Sequence, residues 1–195
     1  MFKGLKVVLI ITLVLMLFGV GCNYNAMVEK GEEVDAQWQQ VETQYQRRMD
    51  LIPNLVNTVK GYASHENETY TAVTEARSAV GNMTIDKSIL ENPELFAKYQ
   101  EAQNNLSSAL SRLIAVSENY PELKANQNFL SLQDELEGTE NRIATERQRF
   151  NKLVKEYNVL IKRFPGNLFA KMYGFTEKEY FAAAAGAEKA PVVQF

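Results

Sequence analysis

The chain has 195 residues, 46% of them hydrophobic, which is enough for one ordinary domain with a buried core. Its 21 basic and 24 acidic side chains give a net charge of −3, which excludes the strongly basic surface expected of a nucleic-acid-binding protein. Cys22 is the only cysteine, so no internal disulfide can form.

The first 22 residues have the pattern of a bacterial export signal. Lys3 and Lys6 precede an unbroken apolar run over residues 7–20, and Gly21 stands directly before Cys22. Cations, a short apolar core and a small residue in this order are typical of such signals. The run is short for a membrane-spanning helix, which needs about 20 apolar residues. We therefore predict that residues 1–22 direct the chain to the membrane and that the rest is exported.

Two modes of attachment fit this segment. In the first, the signal is cleaved and Cys22 becomes a lipidated N-terminus. In the second, the segment stays as an uncleaved signal anchor with its basic end in the cytoplasm, because short flanking Lys and Arg are retained there. Gly19 stands where a lipoprotein signal usually carries an aliphatic residue, which keeps the second mode open.

The first long helix is predicted over residues 26–63. Its apolar residues recur at steps of three and four, which places them on one helix face. They are Val34, Trp38, Val41, Tyr45, Met49, Ile52, Val56, Val59 and Ala63. Pro53 lacks an N–H and is expected to kink or break this helix.

Three further helices are predicted. A shorter stripe from Tyr70 to Val80 ends at Gly81, and Asn92-Pro93 has the pattern of an N-cap followed by proline at the first helical position. The third helix has a heptad-like stripe from Leu95 to Val116. The fourth is predicted over residues 121–164 and is ended by Pro165-Gly166.

This pattern predicts an all-α fold, an elongated antiparallel four-helix bundle over residues 24–182, because amphipathic helices can bury their stripes only against one another. The first and last helices should be antiparallel, with facing residue numbers that sum to about 184. That register predicts a polar layer across the middle of the bundle, which either fixes the helix register or forms a ligand or conformational-switch site. Its pairs would be Tyr45 with Thr139, Glu42 with Arg142, and Trp38 with Glu146. Residues 183–195 are expected to be disordered.

The sequence offers no recognisable catalytic or metal site. His65 is the single histidine and has no second His or Cys at ligand spacing. Phosphate-binding loops and nucleophile motifs are also missing from the sequence. We therefore expect no enzyme activity, metal, cofactor or small-molecule substrate.

Several motifs resemble those of the LemA family. In chain order they are Arg47–Val56 (RRMDLIPNLV), Lys60–Ala63 (KGYA) with His65-Glu66, Tyr120–Ala125 (YPELKA), Thr139–Ala144 (TENRIA), Tyr157-Asn158 and Phe164–Leu168 (FPGNL). Gly174-Phe175 and Tyr180-Phe181 close the series, and Phe150-Asn151 stands where the family commonly has a Tyr-Asn pair.

The resemblance covers about residues 23–182 and implies a membrane-attached bacterial protein whose helical bundle lies outside the cytoplasm. It implies no enzyme activity. We expect a scaffold or interaction protein of the bacterial envelope, in contact with the membrane and with other envelope proteins. The alternative is a regulatory or sensory subunit of a membrane protease or transport system. Partner contact is expected where the shorter middle helices leave the two long helices bare.

Overall fold

The computed structural model describes the backbone of residues 2–83 and 87–182, and the side chains of residues 23–83 and 88–182. Over these residues all regular structure is helical, which confirms the all-α prediction. The α-helices are α1 (Phe2–Lys60), α2 (Asn67–Gly81), α3 (Pro93–Val116), α4 (Pro121–Lys124), α5 (Gln127–Lys162) and α6 (Gly166–Tyr173). Two short 3₁₀ helices, Lys87–Glu91 and Ser117–Asn119, flank α3.

Helix α1 is one continuous helix that passes through Pro53. It buries its predicted stripe, apart from Met49, which is half-buried, and Ala63, which is buried just beyond the helix. The predicted break does not occur. Pro53 lies on the exposed side, so water can satisfy the carbonyl that its missing N–H leaves unpaired.

Helices α2 and α3 end and begin where the sequence predicted. Helix α2 stops at Gly81, and the side chain of Asn92 accepts a hydrogen bond from the backbone N–H of Leu95 at 3.1 Å, as an N-cap does. The start of the α3 stripe was wrong by one residue. Leu95 is exposed, and Phe96 is buried in its place.

The fourth predicted helix is divided in the structure. Helix α4 ends at Lys124, and Asn126 starts α5 by accepting a hydrogen bond from the N–H of Phe129 at 3.0 Å. The end of the long helix agrees with the prediction, since α5 ends at Lys162, just before Pro165-Gly166. A further helix, α6, begins at Gly166.

Helices α1 and α5 pair antiparallel, as predicted. Gln37 donates to Glu146 at 2.7 Å, and Arg48 donates to Glu140 at 2.8 Å. Near the other end, Asn126 donates to the hydroxyl of Tyr62 at 2.8 Å. These pairs have residue-number sums of 183, 188 and 188, within one heptad of the predicted 184.

Two hydrophobic cores follow each other along the α1–α5 pair. The first core joins α1 from Met27 to Tyr45 with α5, the start of α3, α6 and Phe181. The second core joins α1 from Ile52 onward with α2, α3 and the first half of α5. The end of the pair near residue 22 is covered by residues 166–182.

Two predicted segments cannot be compared with side-chain structure. The targeting segment 1–22, with Cys22, lies outside the residues whose side chains are described, and the tail 183–195 lies outside the described residues altogether. No helix in the described part of the chain is both long and apolar enough to cross a bilayer.

Candidate interaction surfaces and the polar network beneath them

The chain folds back on itself after α6. We call residues 174–182 the strap, because this non-helical segment lies along α5 and is fastened there by two asparagines. Asn158 donates to the carbonyl of Lys178 at 2.8 Å and accepts from its N–H at 3.0 Å. Asn151 does the same for Phe181, at 2.9 Å each way. Both amides satisfy backbone groups that have no helical partner.

The strap also inserts side chains into the fold. The Lys178 ammonium lies 2.6 Å from Asp35 on α1, and both side chains are nearly buried. The Phe181 ring stacks on Trp38 at a centroid distance of 5.9 Å, and the Arg147 guanidinium lies 4.5 Å from its centroid. The strap is thus part of the first core.

Arg48 occupies the gap between the two cores. Its side chain is only 1% exposed, and its guanidinium donates to Glu140, to Ser107 Oγ at 2.6 Å and to the side-chain oxygen of Gln103. Glu140 is 38% exposed, so the charge of the pair is partly solvated. The network ties α1 to both α3 and α5.

A buried polar layer lies at this level, but the hydrogen bonds described there do not join the predicted pairs. Glu146 accepts from Gln37 rather than lying against Trp38, whose ring packs among aromatic rings. Thr139 is buried but donates to Glu135 within its own helix. The Tyr45 ring packs edge-on against Tyr99 at 5.7 Å. The layer centres on Arg48, which the predicted pairs did not include.

Burial changes the acidity of tyrosines around the first core. It raises the pKa of Tyr157 to about 12, and the carboxylates of Glu91 and Asp35 add to the shift. It also raises the pKa of Tyr99 and of Tyr45. Each of these groups is held in its neutral form.

His65 and the acidic pair Glu32-Glu33 lie apart in the described structure. His65 lies exposed in the turn between α1 and α2. Within the described ranges no three His, Cys, Asp or Glu side chains are close enough to hold a metal ion. Glu33 bonds to Lys30 at 2.7 Å, while its neighbour Glu32 faces solvent.

Surface grooves lie along α1. One, of about 900 Å³, runs beside the Arg48 network between α1, the end of α2 and α3, and it carries charged residues such as Glu42, Arg47 and Asp50. Another, of about 440 Å³, lies between α1 and α5 near the second core. We call it the amide groove, since it is lined by Asn54, Asn57, Thr58, Asn128, Ser131 and Leu132.

A family model described as LemA family matches residues 37–195. The chain belongs to the LemA family. Magnetosome protein MamQ of Magnetospirillum gryphiswaldense is 28% identical, with 91% of this chain and 69% of that protein covered. Magnetosome protein MamQ 2 of Paramagnetospirillum magneticum is 26% identical over 91% of this chain and 71% of its own length. Protein LemA of Metamycoplasma hominis is 24% identical over 82% of this chain and 69% of its own length.

The LemA motifs recognised in the sequence coincide with these contacts. Arg48 lies in the first motif, and Asn158 and Phe181 lie in the last ones. The role of the two asparagines was missed, although a signal was present. Phe150-Asn151 and Tyr157-Asn158 are two aromatic–Asn pairs seven residues apart, which puts both amides on one face of α5.

Proposed function

We propose that this LemA-family chain is a membrane-attached protein of the bacterial envelope, with its helical part outside the cytoplasm, that acts without catalysis by binding other envelope proteins. In this proposal α1, α2, α3 and α5 form an antiparallel four-helix bundle that stands directly on the membrane. Support comes from α1, which runs without a break from the apolar residues 7–20 into the first core at Met27.

The buried polar side chains form structural hydrogen bonds, which argues against a catalytic role for them. Arg48, Asn158 and Lys178 are among the least exposed polar residues, and each one bonds to another helix or to the strap. A catalytic group must present its reactive atom to a substrate. These side chains instead hold helices and strap in register.

The amide groove is the observation that carries the binding proposal. Its lining contains no charged side chain, although 23% of the chain is charged. Depletion of charge distinguishes the centre of protein–protein interfaces from other surface. The uncovered amides supply donors and acceptors, and Leu132 supplies an apolar contact.

Site-specific photo-crosslinking in living cells tests this. A photoreactive amino acid replaces Asn57 on α1 or Asn128 on α5, which both line the groove. Exposed Arg77 on α2 and Lys152 on α5 serve as matched positions outside it. We expect the same envelope protein from both groove positions and not from the two controls. If neither groove position captures a reproducible partner while the purified chain turns over a substrate, the proposal is wrong.

A regulatory or sensory subunit is the second candidate. The continuity of α1 favours it, because one helix joins the N-terminal segment to both cores. Such a relay requires an uncleaved anchor. Detection of the intact Met1 in the mature protein would support it, whereas a mature chain that begins at Cys22 would exclude a relay through a single transmembrane helix.

A further inference from the structure

The most exposed large apolar side chains in the described part of the chain are close together. Phe164 is 82% exposed, Met172 62%, Leu168 57% and Tyr173 45%. All four lie between residues 164 and 173, in and just before α6. An exposed apolar cluster of this kind marks a contact surface rather than ordinary solvent-facing structure.

Helix α6 is apolar on both faces. Its inner face packs Ala170 and Phe169 on the first core, while Leu168 and Met172, four residues apart, form an outer face. The helix is firmly placed. A Cβ on Gly166 would collide with the carbonyl oxygen of Leu160, and Gly174, at φ +76°, caps the C-terminus. The fold therefore keeps the outer face of α6 exposed to solvent.

This surface lies where the chain leaves the N-terminal segment. The Tyr24 ring lies 4.9 Å from that of Tyr173, and a groove of about 550 Å³ brings Asn23 and Ala26 beside Phe164. Tyr24 follows Cys22 by two residues and the apolar run 7–20 by four, on the same helix. Either mode of attachment thus puts the bilayer beside α6.

The charge of the segment fits a phospholipid surface. Residues 162–173 contain Lys162, Arg163 and Lys171 and no acidic residue, in a chain whose net charge is −3. All three cations are exposed, and Lys162 is paired with Glu177 at 2.6 Å, which leaves Arg163 and Lys171 as the cations for the membrane. Cations next to an apolar helix face are the features that hold a helix in the plane of an anionic membrane interface.

We propose that Phe164 and the outer face of α6 dock on the phospholipid bilayer, with Leu168 and Met172 at the headgroup boundary. Tyr24 and Tyr173 would lie at the interface, where tyrosine is enriched. The inference rests on the proposed membrane attachment and adds a second, non-covalent contact to it. That contact would fix the orientation of the helical domain on the membrane.

The test is photo-crosslinking to lipid in the full chain. Benzoylphenylalanine replaces Leu168 or Met172, and exposed Leu130 at the other end of the molecule is the matched control. The protein is reconstituted in vesicles of phosphatidylcholine with phosphatidylglycerol, recovered by flotation, irradiated and analysed by mass spectrometry. We expect phospholipid adducts from residues 168 and 172 and none from residue 130.

The outcomes separate the two proposals. A chain that floats with the vesicles but gives no adduct at 168 or 172 overturns the docking and leaves the attachment intact. A chain that does not float overturns both. Crosslinks from 168 or 172 to a second copy, or to residues 183–195 of the same chain, also overturn the docking.

A second arm tests the charge. Arg163→Glu with Lys171→Glu should reduce the adduct yield at residue 168 in vesicles that contain phosphatidylglycerol, and Lys98→Glu on α3 should not. Equal adduct yields from the chain without these charge changes, the Arg163→Glu/Lys171→Glu chain and the Lys98→Glu chain would overturn the proposed role of the cations.

Discussion

Arg48 shows how one residue can hold two cores in register. Between Tyr45 of the first core and Ile52 of the second, the α1 stripe has only the half-buried Met49, and the buried Arg48 guanidinium lies there with hydrogen bonds to α3 and α5. Buried polar groups of this kind specify alignment more than they add stability. Replacement of Arg48 should therefore affect both stability and uniqueness of packing.

Arg48→Met should destabilise the protein by about 1–3 kcal/mol, because the side-chain oxygen of Gln103 loses its buried donor. Arg47→Met, at the exposed neighbour, should stay within about 0.5 kcal/mol of the wild type. Urea unfolding followed by circular dichroism measures both. Adding Gln103→Leu to Arg48→Met should recover part of the loss. Equal stability of the two single variants would show that the network contributes nothing.

The raised pKa of Tyr157 predicts that the folded protein loses stability at high pH. Its pKa in the folded protein is raised to about 12, chiefly by burial, from an ordinary value of about 10. Folding therefore favours the neutral phenol, and its contribution is complete below about pH 10 and is lost as the pH rises through about 12. The urea midpoint should fall over this range, and less steeply in Tyr157→Phe. Identical pH profiles for the two proteins would contradict this assignment.

At the scale of the elements, the spacing of apolar residues predicted the long, regular helices. The stripe of α1 and the Asn92 cap of α3 were found because helix geometry imposes regular spacing and end signals. The division at Asn126 was missed because the residues before it were assigned to the same helix and the cap signal of Asn126 was overlooked. The strap could not be predicted from periodicity, because it is non-helical and held by single residues such as Phe181.

The strap should be releasable without loss of the helices. Asn158→Ala removes both hydrogen bonds to Lys178, and we expect faster hydrogen exchange at the amides of residues 178–181, while α1 and α5 keep their protection. Asn141→Ala, at an exposed position on the same helix, is the control and should change neither region. Uniform loss of protection in Asn158→Ala would mean that the strap is not a separate unit.

At the scale of the whole molecule, the mode of attachment is open to a direct test. We expect Cys22 to become the lipidated first residue, because acyl chains contribute about 0.8 kcal/mol per buried methylene and several of them anchor a protein firmly. Cys22→Ser should then abolish palmitate labelling and leave the precursor uncleaved. A wild-type protein that retains Met1 would establish the signal anchor instead.

If α1 stands on the membrane as proposed, its unbroken course determines how far from the bilayer the amide groove lies. A helix rises about 1.5 Å per residue, so an upright α1 would carry Asn54 and Asn57 roughly 50 Å above Cys22. Proteins confined to the bilayer, with only short loops outside it, could not reach the amide groove. Its occupant would have to be free in the envelope compartment, or project a domain of its own as far from the membrane.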